Sequence, residues 1–395
     1  MNIGIFTDTY FPQVSGVATS IKTLKDQLEK DGHQVYIFTT TDPHVDKATY
    51  EKNIFRFSSI PFISFTDRRI AVRGMIQAYQ IAKKLNLDII HTQTEFSMGI
   101  IGKFVAKFLR IPCVHTYHTM YEDYLHYVAK GKLLRPVHVK DATLAFCHNM
   151  SGVVAPSKKV LDTLVRYGVK SPIRIIPTGI NINKFATQSD FDLRKYLGVD
   201  KDAPVLLSVS RLAYEKNIKE LINCMPTILA DKPLTQLVIV GDGPAGEDLR
   251  KQVDDMKLNA NVKFVGEINN DEVYKYYRDA DLFVSTSNSE SQGLTYIEAM
   301  AAGVKVVVAS SPYTEDLLSD KALGMTFSNK DGYVSSVLEY LNQTKAKPDQ
   351  SKEELRQTKL HEISSENFAN RIVDFYKSAQ LDFNKEFSDD NGISD

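Results

Sequence analysis

Short apolar runs alternate with amphipathic stretches along almost the whole chain, and this alternation restricts the fold more than any other feature of the sequence. In the first half, the predicted strands cover residues 3–7, 35–40, 54–57, 88–92, 113–116, 152–155 and 174–176. Stretches such as residues 19–31 and 73–85 have apolar positions three and four apart, which is typical of amphipathic helices. Because apolar strands that alternate with helices form parallel sheets covered on both faces, the sequence predicts an α/β fold.

The same pattern starts again in the second half of the chain. There the predicted strands cover residues 204–210, 236–241, 262–265, 281–285, 305–309 and 324–327, and the predicted helices cover residues 217–230, 245–257, 271–279 and 294–302. A chain of 395 residues is also long enough for two domains. We predict domains at residues 1–170 and 171–365, with a linker at 179–198. Residues 366–395 are predicted to form a helix that packs back across the domain junction, followed by a frayed tail.

Charge is divided unevenly between the two halves, although the net charge is only -1. Residues 1–172 contain 22 Lys and Arg against 14 Asp and Glu, whereas the remainder contains 26 against 35. A basic first half indicates either an anionic partner, such as a membrane surface, or attraction between complementary domains.

The sequence shows no apolar run that could span a membrane, no signal peptide and no nucleic-acid-binding module. Three separated cysteines favour a reducing cytoplasm over a disulfide framework.

Two candidate ligand-binding residues follow strands of the first half. In doubly wound sheets, ligands bind beyond the carboxyl ends of the strands. Gly16 lies between the first strand and the next helix, where it would allow the backbone to approach a ligand closely. His118 follows the strand at 113–116, where its ring could bond a sugar hydroxyl or stabilise charge at a reacting carbon. An ordinary turn and a packed histidine are the alternative interpretations.

A pair of cations follows the first strand of the second half. Arg211 comes directly after that strand, and Lys216 opens the next helix. A forked guanidinium, an ammonium and free helix amides together suit a diphosphate, and they could stabilise a departing diphosphate without a metal. The alternative interpretation is a surface ion pair between Lys216 and Glu215.

Two carboxylates and a helix start follow the fourth strand of the second half. Glu290 lies in the loop, where it could accept hydrogen bonds from sugar hydroxyls, and Glu298 could bind ribose hydroxyls. Between them, the amides of Gly293, Leu294 and Thr295 begin a helix and would face phosphates. A glycosidase acid/base pair also uses two carboxylates, but both must then face one bond, and the helical offset argues against this arrangement.

With these motifs the chain resembles the retaining glycosyltransferases of family four. That family has the GT-B architecture, in which two Rossmann-like domains face each other across a cleft. Glu290 and Glu298 match the family signature of two glutamates separated by seven residues. The resemblance implies a nucleotide-sugar site formed by Gly16, Gly241, Ile268, Gln292, Gly293, Leu294, Thr295 and Glu298, with His118, Arg211, Lys216 and Glu290 acting at the reacting bond. Departures from the common family pattern occur at Ser15, Thr178, Asn181 and Gln292.

Within the family, the chain is most similar to bacterial enzymes that glucosylate 1,2-diacylglycerol, over residues 8–24, 91–97, 115–127 and 289–300. This similarity implies that glucose passes from UDP-glucose to the 3-hydroxyl of diacylglycerol with retention, without a cofactor or a metal. It also implies a peripheral position on the inner face of the cell membrane. The alternatives are GDP-mannose or another UDP-sugar as donor, and phosphatidylinositol, a polyprenyl carrier or a soluble molecule as acceptor. A sugar-nucleotide epimerase and a non-enzymatic lipid-binding protein are further alternatives.

Basic residues interleaved with apolar ones in the first half favour contact with an anionic bilayer. The cations lie in three clusters: Arg68, Arg69 and Arg73; Lys103, Lys107 and Arg110; and Lys130, Lys132, Arg135, His138 and Lys140. The adjoining apolar residues are Phe104, Val105, Phe108, Leu109, Leu133 and Leu134. A solvated helix face over an ordinary core is the competing interpretation.

Overall fold

The computed structural model describes residues 1–390 except Val14 and residues 46–50, 63–64, 123–134, 288–289, 291 and 344–349; the side chains of residues 62, 65–68, 350–353 and 386–390 are also outside the description. The chain divides into two compact units, Met1–Gly179 together with Ser365–Asp395, and Ile180–Ser364. The boundary at Gly179 lies later in the chain than the predicted boundary at residue 170, because the last strand of the first sheet extends to Ile175. Residues 391–395 of the predicted frayed tail lie outside the described residues.

The first unit is built on a parallel sheet of seven strands. From one edge to the other these are β3 (Ile54–Phe57), β2 (Gln34–Thr40), β1 (Asn2–Phe6), β6 (Ile89–Thr92), β7 (Cys113–Thr116), β8 (Gly152–Ala155) and β9 (Ile173–Ile175). Its helices are α1 (Gly16–Lys30), α2 (Met75–Lys84), α3 (Ser97–Leu109), α4 (Pro136–Cys147), α5 (Lys158–Tyr167) and α15 (Ser365–Asp390). The strand order reverses between β1 and β6, which is the switch point where doubly wound sheets bind ligands. An antiparallel hairpin that the sequence pattern does not predict, β4 (Ser59–Phe62) and β5 (Phe65–Ala71), lies outside this sheet.

The C-terminal helix α15 packs on the first sheet, on the same face as α1. Ile372, Phe375 and Tyr376 are buried there. The hydroxyl of Tyr376 lies 2.7 Å from Nδ1 of His91 in β6. Contact with β8 is also close, since a Cβ atom on Gly152 would lie 2.4 Å from the Phe375 ring. The last helix of the chain is therefore part of the core of the first unit.

The second unit is built on a parallel sheet of six strands. From one edge to the other these are β12 (Val262–Gly266), β11 (Gln236–Val240), β10 (Val205–Val209), β13 (Leu282–Ser285), β14 (Lys305–Ala309) and β15 (Gly324–Phe327). Its helices are α6 (Ile182–Ala186), α7 (Leu193–Leu197), α8 (Ile218–Asp231), α9 (Gly246–Asp255), α10 (Val273–Asp279), α11 (Leu294–Ala301), α12 (Pro312–Leu317), α13 (Lys330–Asn342) and α14 (Gln350–Glu362). This is the strand order of the Rossmann fold, and the prediction of two Rossmann-like α/β units is confirmed.

The prediction of a linker at residues 179–198 is wrong, because this segment contains α6 and α7. Phe185 and Leu193 are buried in the core of the second unit. The side chains of Asn181 and Asp192 accept hydrogen bonds from backbone N–H groups in the first turn of α6 and α7, respectively. Helices this short give too few apolar repeats for a periodic pattern to be visible in the sequence.

Both faces of the second sheet are buried by alternate residues of the same strands. Leu206 and Leu282 pack with α8 and α13 on one face. Leu207 and Phe283 pack with α10 and α11 on the other face. Since neither face is open to a ligand, polar groups that act on one have to lie at the strand ends.

Replacing Tyr376 with Phe is expected to lower the free energy of unfolding of the first unit by about 1–3 kcal/mol, because a buried ring nitrogen of His91 loses its partner. Urea unfolding measures this change. Tyr79→Phe is the matched control, since the Tyr79 ring contacts Phe108 and its hydroxyl has no hydrogen bond among the described residues. Equal losses in the two variants would contradict a structural role for the Tyr376–His91 hydrogen bond.

Candidate functional site

The loops after β10 and β13 lie side by side where the strand order of the second sheet reverses. The hydroxyl of Thr286 donates to the backbone carbonyl of Asn217 at 2.8 Å and connects the two loops. Asn217 adopts a left-handed conformation with φ of 51°, which ends the short turn Tyr214–Lys216 and allows α8 to begin. The carboxyl edge of this sheet therefore holds both predicted clusters of the second unit.

Lys216 and Glu290 form an ion pair at this edge. Nζ of Lys216 lies 2.6 Å from Oε1 of Glu290, although the two residues are 74 positions apart in the sequence. The two side chains are 18% and 21% exposed, so water screens the pair less than an open surface pair. The structure thus brings together two predicted site residues, and both remain accessible to a ligand.

Arg211 is exposed directly after β10, and the glycine turn after β11 supports its loop. The backbone N–H of Leu212 donates to the carbonyl of Asp242 at 2.9 Å. Gly241 permits this approach, because its φ is 128° and a Cβ atom there would lie 1.9 Å from the carbonyl oxygen of Ser210. Gly241 therefore positions the loop that carries Arg211, a role that sequence spacing does not reveal.

Gly293 begins α11 at the same edge of the sheet. Its φ is 64°, and a Cβ atom at this position would lie 2.6 Å from the ring of Tyr296, so no other residue fits this turn without strain. Gln292 and Gly293 are buried, whereas Leu294 and Thr295 are partly exposed. The helix begins where the sequence predicts, and its first backbone N–H groups lie at the carboxyl edge, where an anion would be stabilised.

Glu298 lies one turn further into α11 and is only 6% exposed. The hydroxyl of Tyr277 donates to its Oε2 at 2.8 Å. Burial raises the pKa of Glu298 to about 7, while the Tyr277 hydrogen bond and the charge of Lys184 oppose the rise. The carboxyl group therefore titrates near neutral pH, and its predicted contact with ribose stays a prediction.

Two further features complete this edge of the second sheet. Ile268, after β12, packs on the core and remains partly exposed. Beside the loop that carries the ion pair lies an open pocket of about 340 Å³, lined by Asn217, Thr286 and Lys330 among others. Polar groups and empty space thus adjoin Lys216.

Asp8 is the central acid at the corresponding edge of the first sheet. Its carboxylate accepts hydrogen bonds from the Thr94 hydroxyl at 2.6 Å, from the Ser97 hydroxyl and from the backbone N–H of Met98 at 3.0 Å. Burial raises the pKa of Asp8, and these hydrogen bonds oppose the rise. Asp8 therefore caps α3, a role that the sequence did not reveal. Gly16 is exposed as the first residue of α1.

His118 lies next to Gln93, which the sequence analysis did not select. Nε2 of His118 is 2.7 Å from Oε1 of Gln93. His91 and His115 are buried in the neighbouring strands, and Nε2 of His115 is 3.2 Å from Oε1 of Glu95. Burial, with a smaller effect of His115, lowers the pKa of His118 to about 3, so its ring is neutral at physiological pH. Gln93 and Glu95 follow β6, whereas His115 and His118 lie in or after β7, so their contacts become apparent only from the pairing of these two strands.

The predicted membrane-facing cations differ in their surroundings. Arg73, Lys107 and Arg110 are exposed. The prediction is wrong for Lys103, whose Nζ donates to two backbone carbonyls at the end of α4 and whose pKa is lowered by burial. The side chain of Arg68 and the residues Lys130, Lys132, Leu133 and Leu134 lie outside the described residues. In the described part of the chain, none of the helices combines the length and the hydropathy needed to cross a bilayer.

The chain is similar to known proteins in both its sequence and its fold. Residues 14–184 match Glycosyltransferase Family 4, and residues 189–358 match Glycosyl transferases group 1. The alpha-monoglucosyldiacylglycerol synthase of Streptococcus pneumoniae is 46% identical over 100% of this chain and 90% of that protein. The synthase of the same name from Acholeplasma laidlawii is 35% identical over 86% of this chain and 87% of that protein. The structure of HepE of Anabaena, solved in complex with UDP, aligns with this chain at a TM-score of 0.75 and 19% sequence identity. The alignment covers 96% of this chain and 100% of HepE, which shows that the two proteins share a fold.

The free energy of unfolding of the second unit is expected to fall as the pH rises from 4.5 to about 7. In this window the folded state keeps a proton on Glu298 that the unfolded state releases, so the loss amounts to about 3 kcal/mol. Chemical denaturation at a series of pH values measures it, and Glu298→Gln should flatten the profile in that window. The control is Glu247→Gln, at an exposed position of α9. An unchanged profile in Glu298→Gln would contradict the assignment.

Proposed function

The chain belongs to family 4 of the glycosyltransferases, and we propose that it transfers glucose from UDP-glucose to the 3-hydroxyl of 1,2-diacylglycerol, forming α-monoglucosyldiacylglycerol. The observation that carries this proposal is the Lys216–Glu290 ion pair at the carboxyl edge of the second sheet, with Arg211 in the same loop as Lys216. Relatives named alpha-monoglucosyldiacylglycerol synthase, at 46% and 35% identity, support the choice of glucose as the transferred sugar and of diacylglycerol as the acceptor.

In this proposal the second unit binds the diphosphate of the donor. Arg211 supplies a forked donor, Lys216 a point charge, and the start of α11 at Gly293 a set of backbone N–H groups. These groups are fixed before the reaction, so they stabilise the charge that develops on the departing UDP. Because they already neutralise that charge, we propose that the transfer requires no metal.

The two glutamates have separate roles in the proposal. Glu290 accepts hydrogen bonds from hydroxyls of the glucose, and Lys216, its partner before the donor binds, turns to the phosphates. Glu298 accepts hydrogen bonds from the ribose, and the backbone near Ile268 contacts the base. Because Glu290 bonds the glucose hydroxyls and Glu298 bonds the ribose in this proposal, neither carboxylate acts as a nucleophile.

We propose retention by front-face substitution. A phosphate oxygen of the donor accepts the proton of the acceptor hydroxyl, while the bond between glucose and UDP breaks. His118 is neutral, so it supplies a hydrogen bond to a substrate rather than a positive charge. Gly16 and the first amides of α1 lie at the carboxyl edge of the first sheet, where a ligand can reach them.

The first unit is proposed to hold the acceptor and to contact the membrane as a peripheral protein. Ile76 in α2 is 71% exposed, and Phe108 in α3 is 59% exposed. Tyr79 lies one turn after Ile76, and the centroids of the Tyr79 and Phe108 rings are 6.4 Å apart. The two helices therefore share one apolar patch. Lys107 is exposed next to this patch. Exposed apolar side chains beside cations suit an anionic bilayer surface.

A panel of donors and acceptors tests the proposed reaction. We expect UDP-glucose with diacylglycerol vesicles to give UDP and an α-linked glucolipid, and we expect chelation of metals to leave the rate unchanged. Mass spectrometry and NMR of the anomeric centre identify the product. A β-linked product would contradict retention, and a mannolipid from GDP-mannose would support the alternative donor. Vesicle binding without release of UDP would favour a non-enzymatic lipid-binding protein. Conversion of the nucleotide sugar into its epimer in the absence of any acceptor would favour an epimerase.

Matched variants connect this reaction to the site. Arg211→Ala and Lys216→Ala are each expected to lower kcat about 100-fold or more, because each removes a donor to the developing charge. Calorimetry with UDP should show weaker binding by both variants. Lys219→Ala removes an exposed cation from α8 and is the control. Wild-type turnover and wild-type UDP affinity in both site variants would refute this assignment.

Substitution in the apolar patch tests the membrane contact. The double variant Ile76→Ser and Phe108→Ser is expected to bind anionic vesicles about 10-fold more weakly, because less apolar surface is inserted. Added salt should weaken the binding of wild type, because it screens the cations. Val165→Ser, at an exposed apolar position of α5, is the control in a flotation assay. Equal flotation of all three proteins would refute the contact.

A further inference from the structure

Gln93 occupies the switch point of the first sheet. It directly follows β6, and its backbone N–H donates to the carbonyl of Phe6 at the end of β1, at 2.8 Å. The residue is only 3% exposed. The amide is therefore held at the position of the sheet where a ligand is expected to bind.

Among the residues that the structure describes, only the oxygen of the Gln93 amide has a hydrogen-bond partner. Its Oε1 accepts a hydrogen bond from Nε2 of His118 at 2.7 Å. Its Nε2, which carries two N–H donors, is buried without a hydrogen-bond partner among the described residues. A buried donor without a partner is unfavourable, so a bound oxygen atom that accepts its hydrogen would be stabilised.

The hydrogen bond from His118 also determines which ring nitrogen carries the proton. Because the amide oxygen can only accept, the neutral ring has its hydrogen on Nε2, and Nδ1 is left as an acceptor. Nδ1 has no hydrogen bond from the described residues. Among the described residues, the Gln93 amide therefore leaves two N–H donors without an acceptor, and Nδ1 of His118 is an acceptor without a donor.

We propose that Gln93 is a positioning and binding residue of the first unit, which fixes the His118 ring and donates its own amide hydrogen to a hydroxyl oxygen of the substrate. This inference rests on the proposed function. A hydroxyl group matches the pair because it both accepts and donates a hydrogen bond. A phosphate matches it less well, because His118 is neutral and the nearby Glu95 bears a carboxylate. The hydroxyl belongs either to the glucose of the donor or to diacylglycerol.

The proton position in the free protein can be measured without any substrate. Two-dimensional ¹H–¹⁵N NMR of the histidine rings should show His118 with hydrogen on Nε2 in wild type, and Gln93→Leu should change the His118 signals. Gln27→Leu removes another buried glutamine of the first unit and should leave them unchanged. Hydrogen on Nδ1 in wild type would overturn the inference, whether or not the protein transfers glucose.

Substrate analogues then identify the hydroxyl. Gln93→Glu keeps an acceptor for His118 but removes the amide donor, so its kcat/KM should fall about 10-fold with UDP-glucose. With the UDP-deoxyglucose that lacks the contacted hydroxyl, wild type and variant should react alike. If the hydroxyl belongs to the acceptor, the variant should have a higher KM for diacylglycerol than wild type, whereas 3-deoxy-diacylglycerol, which lacks that hydroxyl, should inhibit both proteins equally.

Two controls separate failure of this inference from failure of the proposed function. UDP binding by the Gln93 variants should equal that of wild type, and the Gln27→Leu variant should keep its activity. A wild-type protein that makes no glucolipid would refute the proposed function and leave the NMR result standing. A glucolipid-forming protein whose Gln93→Glu variant loses the same factor with every analogue, or loses nothing, would overturn the inference.

Discussion

Burial of each parallel sheet on both faces is the constraint on which the rest of this protein depends. Strands such as β10 and β13 carry apolar side chains toward helices on either side, so no face is left for polar chemistry. Charged and hydrogen-bonding groups are therefore confined to the ends of the strands. Arg211 and Lys216 follow one strand, and Glu290 follows its neighbour, which explains how residues far apart in the sequence come to share one edge.

The two edges differ in their electrostatics. The edge of the second sheet holds a partly exposed ion pair and a helix start, so it is prepared for a charged ligand. At the edge of the first sheet, burial lowers the pKa of the histidines His91 and His118, and the Asp8 carboxylate is fully engaged in hydrogen bonds. That edge suits neutral hydroxyl groups. This contrast supports the proposal that the second unit binds the nucleotide and the first unit binds the acceptor.

Much of the fold could be predicted from the sequence, because apolar periodicity directly reports strands and helices of ordinary length. The helices α6 and α7 escaped prediction because one or two turns give no periodic pattern. The ion pair of Lys216 with Glu290 joins two residues that motifs had already selected. By contrast, Gln93 and Asp8 act through partners on other elements, and spacing does not report such contacts. Lys103 was misinterpreted because a cation on an amphipathic helix gives no sign that its ammonium reaches carbonyls of another helix.

The place of α15 in the first unit has a consequence for synthesis of the chain. The chain leaves the first unit after Gly179 and returns at Ser365, and the two connecting segments touch where the N–H of Ile180 donates to the carbonyl of Ile363 at 2.9 Å. The second unit is thus an insertion within the first. On the ribosome, all seven strands of the first sheet emerge before α15, so the part of the sheet face that α15 covers is completed only after Phe368, Ile372 and Phe375 have been translated. Loss of the C-terminal segment would therefore damage the unit that is made first.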